Sequence, residues 1–198
     1  MTALEQVLAG VPPEKYYEAC ITYHLVREAE RRGWRLYPFS ISQVLERQWG
    51  FDFGYDCAGG QVFLAQYKRP IRRSNGWQWT IDREQFWTLR RCGLPTYYAL
   101  PGFFHASEWY EGMDHTIFLS VYALEPWMLE QGEGPSACLD RRDPILRQET
   151  PAAALFPGGL GRVQAGDAAR QLSLTGEQYR MLSGLTDVVG YWLKEREI

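Results

Sequence analysis

Glu46-Arg47-Gln48-Trp49-Gly50-Phe51-Asp52, followed a short way on by Phe63-Leu64-Ala65-Gln66-Tyr67-Lys68-Arg69, is the stretch on which the reading of this chain turns. The first segment sets one carboxylate, Glu46, near the end of a short helical pattern. A second, Asp52, follows just past a glycine, at the mouth of a strand. The other segment is a β-rich run. Because side chains alternate along a strand, it projects Gln66 and Lys68 from one face and Tyr67 from the other. If the strand behind Asp52 pairs with this run, the carboxylate falls beside the Gln66 amide oxygen, and Glu46 can enter the same space from its helix.

Two acids, an amide oxygen and an ammonium in one space can hold a divalent metal and activate a water beside a phosphate. Asp52 and the Gln66 carbonyl are hard oxygen ligands suited to Mg²⁺, which takes few protein ligands and retains several waters. Lys68 can orient a water, accept its proton or stabilise charge on the phosphate. Asp56 is the rival ligand, four residues beyond Asp52 on the same strand face. Gly50, which permits close backbone approach, and the neighbouring Glu46 favour Asp52.

Working outward, Pro12-Pro13-Glu14 reads as a helix start. Tyr16, Tyr17, Cys20, Tyr23, His24, Val26 and Ala29 keep a helical period up to a stop at Gly33. Ser40 or Ser42 can cap a second, short helix through Gln48, ended by Gly50. Phe51 to Cys57 reads as a strand, Ala58-Gly59-Gly60 as a tight turn and Gln61 to Arg69 as the antiparallel partner. Asn75-Gly76 signals a further hairpin, with Trp77 and Trp79 alternating in the strand after it. Asp82 caps a helix through Arg91 that Cys92-Gly93 closes. Pro95 to Leu100 and Thr116 to Leu124 read as strands.

Residues 131 to 170 lack a sustained period and suggest a long irregular connection. Thr175-Gly176-Glu177-Gln178 is a capping-box pattern. It opens a final helix striped with Tyr179, Leu182, Leu185, Val188, Val189 and Trp192. The order suits a mixed sheet with helices against it, an α/β sandwich.

Those residues carry a resemblance. Glu46-x-x-x-Gly50-x-Asp52, then Gln66-x-Lys68 on the next strand, resembles the PD-(D/E)XK nuclease superfamily. The helix bearing Gln85 and the strand Pro95-Thr96-Tyr97-Tyr98-Ala99-Leu100 continue the same order. The resemblance implies an αβββαβ restriction-endonuclease-like core over about residues 14 to 122. Residues 123 to 198 then form an extension and a C-terminal helix within one α/β domain. It implies Mg²⁺- or Mn²⁺-dependent cleavage of nucleic acid, chiefly DNA, in restriction, repair or antiviral defence, alone, as a homodimer or in a larger defence complex. Asp52 and Gln66 would be the metal ligands, Lys68 the catalytic lysine and Glu46 the helix acid. Gln66 departs from the commoner Asp or Glu, which removes a negative charge. A catalytically inactive member serving nucleic-acid binding or protein assembly is therefore the alternative.

Bulk properties set the frame. At 198 residues the chain suffices for one buried core. A net charge of -3 argues against a general nucleic-acid coat but leaves room for a local basic face at the doublets Arg31-Arg32, Lys68-Arg69, Arg72-Arg73 and Arg90-Arg91. Cys20, Cys57, Cys92 and Cys138 have no metal-finger spacing with His24, His105 and His115, so a reduced, cytoplasmic setting is expected. No secretory leader is expected, and no apolar run approaches the ~20 residues of a membrane span. Neither a nucleophile elbow nor a phosphate-binding glycine loop is present.

Overall fold

The computed structural model describes residues 11–41, 49–57, 61–74 and 76–156. Helix α1 (Glu14–Arg31) has Pro13 at its N-cap position, Glu14 in its first turn and Arg31 in its last. Gly33, at φ 78°, ends it: Gly33 N–H bonds the Glu30 carbonyl and Trp34 N–H the Ala29 carbonyl. A left-handed residue with this bond pair is the Schellman stop that the glycine announces.

The central sheet is built from β1 (Leu36–Ser40), β2 (Phe53–Cys57), β3 (Gln61–Tyr67), β6 (Thr96–Pro101) and β7 (Thr116–Ser120), in the order β1-β2-β3-β6-β7. The first three strands form an antiparallel meander. β6 then lies parallel to β3, and β7 antiparallel to β6. A parallel pair needs a crossover. Here it carries a hairpin, β4 (Ile71–Arg73) and β5 (Gly76–Asp82), and helix α2 (Arg83–Arg91). Asp82 caps α2 by accepting Gln85 N–H at 2.8 Å.

Each face of the sheet buries its own apolar cluster. Tyr17, Cys20, Ile21 and Leu25 of α1 cover one face, against Tyr55, Phe63, Tyr67 and Phe118. On the other, α2 and α3 (Val121–Glu130) pack Phe86, Leu89, Leu124 and Met128 over Leu64, Tyr98, Leu100 and Leu119. A small second sheet, β4-β5-β8, joins this layer, with β8 being Ser136–Asp140. The expected mixed α/β architecture with flanking helices is thus what forms.

Three expectations need correcting. Leu36–Ser40 is a strand, where no strand was expected. Pro38 argues against a central position, but β1 pairs only with β2, and an edge strand tolerates proline. The strand expected over Thr116 to Leu124 stops at Ser120, whose hydroxyl accepts Tyr122 N–H and starts α3. Val121, Leu124 and Met128 follow helical spacing. The stretch 131 to 170, expected to be irregular, contains β8, paired along β5 with alternating burial. The short helix expected up to Gln48, Glu46 with it, and the C-terminal helix lie outside the described residues.

Candidate functional site at the ends of β2 and β3

Gly50 begins the site. At φ 78° it adopts a backbone that favours glycine, and a Cβ there would stand 3.2 Å from Leu89 Cγ and 3.3 Å from the Gln85 carbonyl oxygen. The chain can therefore press against α2 at Gln85 and Leu89, two residues before Asp52. Asp52 N–H bonds the Ala65 carbonyl at 3.2 Å. Its Oδ2 then takes two donors, Gln66 Nε2 at 2.7 Å and Tyr67 N–H at 2.8 Å. A side-chain carboxylate thus takes over the β2–β3 ladder where the strands separate.

Gln66 and Asp52 are both buried, at 2% and 6% exposure. The Gln66 amide nitrogen also donates to the Tyr67 carbonyl at 3.2 Å. Both of its neighbours are acceptors, which fixes the amide orientation and leaves Gln66 Oε1 buried with no hydrogen-bond partner. Lys68, two residues on and half-buried, donates to Gln85 Oε1 at 2.6 Å, tying the end of β3 to α2. Tyr67 points the opposite way, where its hydroxyl meets that of Tyr55 in a hydrogen bond.

Tyr98 completes the group. It is the register partner of Gln66 on parallel β6, and its buried hydroxyl likewise has no hydrogen-bond partner. Burial first, and then the charges of Asp82 and Asp52, push its ionisation well above the ordinary tyrosine range, so the hydroxyl stays protonated. No sequence signal marks Tyr98. Only the parallel β3–β6 register puts it beside Gln66.

Asp56 does not share this place. It pairs with Val62 toward the other end of β2, roughly 13 Å along the strand from Asp52 at ~3.3 Å per residue. Burial raises its carboxyl pKa. His24, half-buried, contacts the Trp109 carbonyl through Nε2 at 2.5 Å, a structural hydrogen bond. Among the described residues no three His, Cys, Asp or Glu side chains converge as a metal cage. All four cysteines are free thiols.

The donors suit a hard cation in kind. An uncommitted buried carbonyl oxygen on Gln66 adjoins a buried carboxylate, and Mg²⁺ can be satisfied by one or two such groups plus water and phosphate oxygens. Comparison with protein-family models, curated proteins and solved structures returned no match. No described helix is long and apolar enough to cross a membrane.

Proposed function

We propose that this chain is a metal-dependent phosphodiesterase acting on nucleic acid, with DNA as the first expectation, built on a PD-(D/E)XK-like core. One observation carries the reading: Asp52 and Gln66 are in direct contact at the mouth of β2, with Lys68 one strand step beyond on the same face. The element order supports it, since a helix, an antiparallel three-strand meander, a helix and a strand parallel to the third follow αβββαβ once the inserted β4–β5 hairpin is set aside.

In this reading Asp52 and Gln66 Oε1 hold Mg²⁺ or Mn²⁺, which when bound supplies Lewis-acid neutralisation of the scissile phosphate. Lys68 positions the attacking water and stabilises charge on the phosphate oxygens. Gln85 aims the ammonium through its 2.6 Å bond. As the water oxygen bonds to phosphorus, the bond to the leaving sugar oxygen breaks; the water gives up a proton to solvent and the sugar oxygen takes one from it, leaving a phosphate monoester and a hydroxyl. Restriction, repair or defence against foreign DNA in the cytoplasm, as a homodimer or within a larger complex, is the setting we assign to such an activity.

Incubation of plasmid and short single strands with Mg²⁺ or Mn²⁺ tests this. Cleavage should disappear in EDTA and fall at least ~10²-fold in Lys68→Ala and Asp52→Asn. Undiminished cutting by both variants would remove the assignment.

A second reading has its own observation. Gln66 brings no charge, and Asp52 already caps the Tyr67 amide, a purely structural service. A nuclease-like domain without turnover, binding nucleic acid or assembling with protein, would bind equally well in EDTA and yield no products with any metal.

A further inference from the structure

A cleft of about 680 Å³ opens between the β4–β5 hairpin, the segment after β6 and the end of β8. Arg72, Arg73 and Arg141 line it, with Trp77, Phe104 and His115. The three arginines are exposed, and among the described residues none of them forms an ion pair. Like charges gathered without ion-pair partners repel one another, so this cluster favours a polyanionic occupant. Two acids share the wall. Glu108 spends one carboxylate oxygen on Phe104 N–H at 3.0 Å and His105 N–H at 2.8 Å, while Asp114 is exposed.

The aromatic groups are built into the cleft. The Arg141 guanidinium stands 4.1 Å from the Trp77 ring centroid, and that of Arg72 5.9 Å from Phe104. The two rings are 5.7 Å apart. Arg141 N–H bonds the Trp77 carbonyl at 3.1 Å, fixing β8 to β5 at this point. Gly102 makes room for the indole, since a Cβ would lie 3.1 Å from Trp77 Cζ2. Trp79, on the same strand face, is instead fully buried and donates to the Pro101 carbonyl at 2.9 Å.

We infer that this cleft is a subsite for an unpaired nucleic-acid strand, with Arg72, Arg73 and Arg141 receiving phosphates and Trp77 and Phe104 receiving a base. Aromatic faces and guanidinium planes recognise the π-face of a base, which a duplex conceals within its stack. The cleft is linked to the candidate site through the chain: β4 begins three residues after Lys68, and Lys68 N–H bonds the Ala99 carbonyl, three residues before Gly102. The inference rests on the proposed nuclease reading, whose substrate it narrows to unpaired strands or ends.

Binding is measured by fluorescence anisotropy in EDTA, where cleavage plays no part. The probes are labelled oligothymidylate of about 12 residues, oligouridylate and a duplex of equal length. Oligothymidylate should bind at least tenfold tighter than the duplex, and the oligouridylate arm distinguishes DNA from RNA. Trp77→Ala should weaken it about tenfold. The surface changes Arg72→Ala and Arg141→Ala should each flatten the salt dependence by about 0.7 in the logarithmic slope. Duplex binding as tight as single-strand binding, indifference to both arginine changes, or equal competition by polyglutamate would overturn the inference. Binding with no cleavage under any metal would defeat the nuclease reading alone. Single-strand cleavage undiminished in the arginine variants would defeat the subsite alone.

Discussion

Gln66 gives its amide nitrogen to Asp52 at 2.7 Å and in doing so leaves its own carbonyl oxygen buried without a donor. A neutral amide is thus what lets an aspartate remain buried where β2 and β3 part. An acid at position 66 would put two carboxylates against each other.

Gln66→Glu should therefore destabilise the metal-free protein by about 1–3 kcal/mol, because Asp52 loses a donor and gains a like charge. Millimolar Mn²⁺ should restore much of that loss, since the pair now offers two carboxylates. Urea unfolding with Mn²⁺ and with EDTA measures both. Identical midpoints in the two solutions would contradict a cation site at these residues.

Tyr98→Phe separates stability from function. The hydroxyl is buried with no partner, so its removal should be neutral or stabilising by up to about 1 kcal/mol. If the hydroxyl serves the site, cleavage falls while the melting temperature holds or rises, the exchange expected of a strained functional group. A loss of several degrees would mean that the hydroxyl is satisfied in solution.

Gly54→Ala tests the packing that supports β2. The Phe39 ring, on the register partner across β1, fills the space a Cβ would take, with Cζ 2.0 Å from it. Overpacking of this kind should cost about 1–3 kcal/mol, read as a shifted urea midpoint. Phe39→Leu in the same background should recover part of it.

On the acid side, Glu28 supplies a pH dependence. Its hydrogen bond from Arg31, more than that from Arg32, holds the carboxyl down to about 2 from an ordinary 4.5. A depressed folded pKa gives stabilisation that is complete above the unfolded value and lost as pH falls through the folded one. The stability difference between the parent and Glu28→Gln should be constant from pH 7 to about 5 and close toward pH 2. An unchanged difference at pH 3 would mean that the pair is not formed.

What the sequence made legible follows from local physics. Gly33, Gly50 and Asp82 each meet a backbone need that few residues satisfy, so the end of α1, the entry to β2 and the start of α2 could be read directly. Alternation along β3 separated Gln66 from Tyr67 correctly. Leu36–Ser40 escaped because proline argues against a strand unless its edge position is known. Ser136–Asp140 escaped because a run of only five residues, Ser-Ala-Cys-Leu-Asp, between turn formers carries little periodic signal. Tyr98 and the arginine cleft were illegible for another reason. They depend on the parallel register of β3 with β6 and on β8 returning to β5, contacts between distant segments.

The most direct test of the central claim is a crystal soaked in Mn²⁺ and examined by anomalous diffraction. A peak beside Asp52 and Gln66 Oε1 is expected, lost in Asp52→Asn. Mn²⁺-dependent cleavage by a protein whose only anomalous peak lies away from both residues would contradict it.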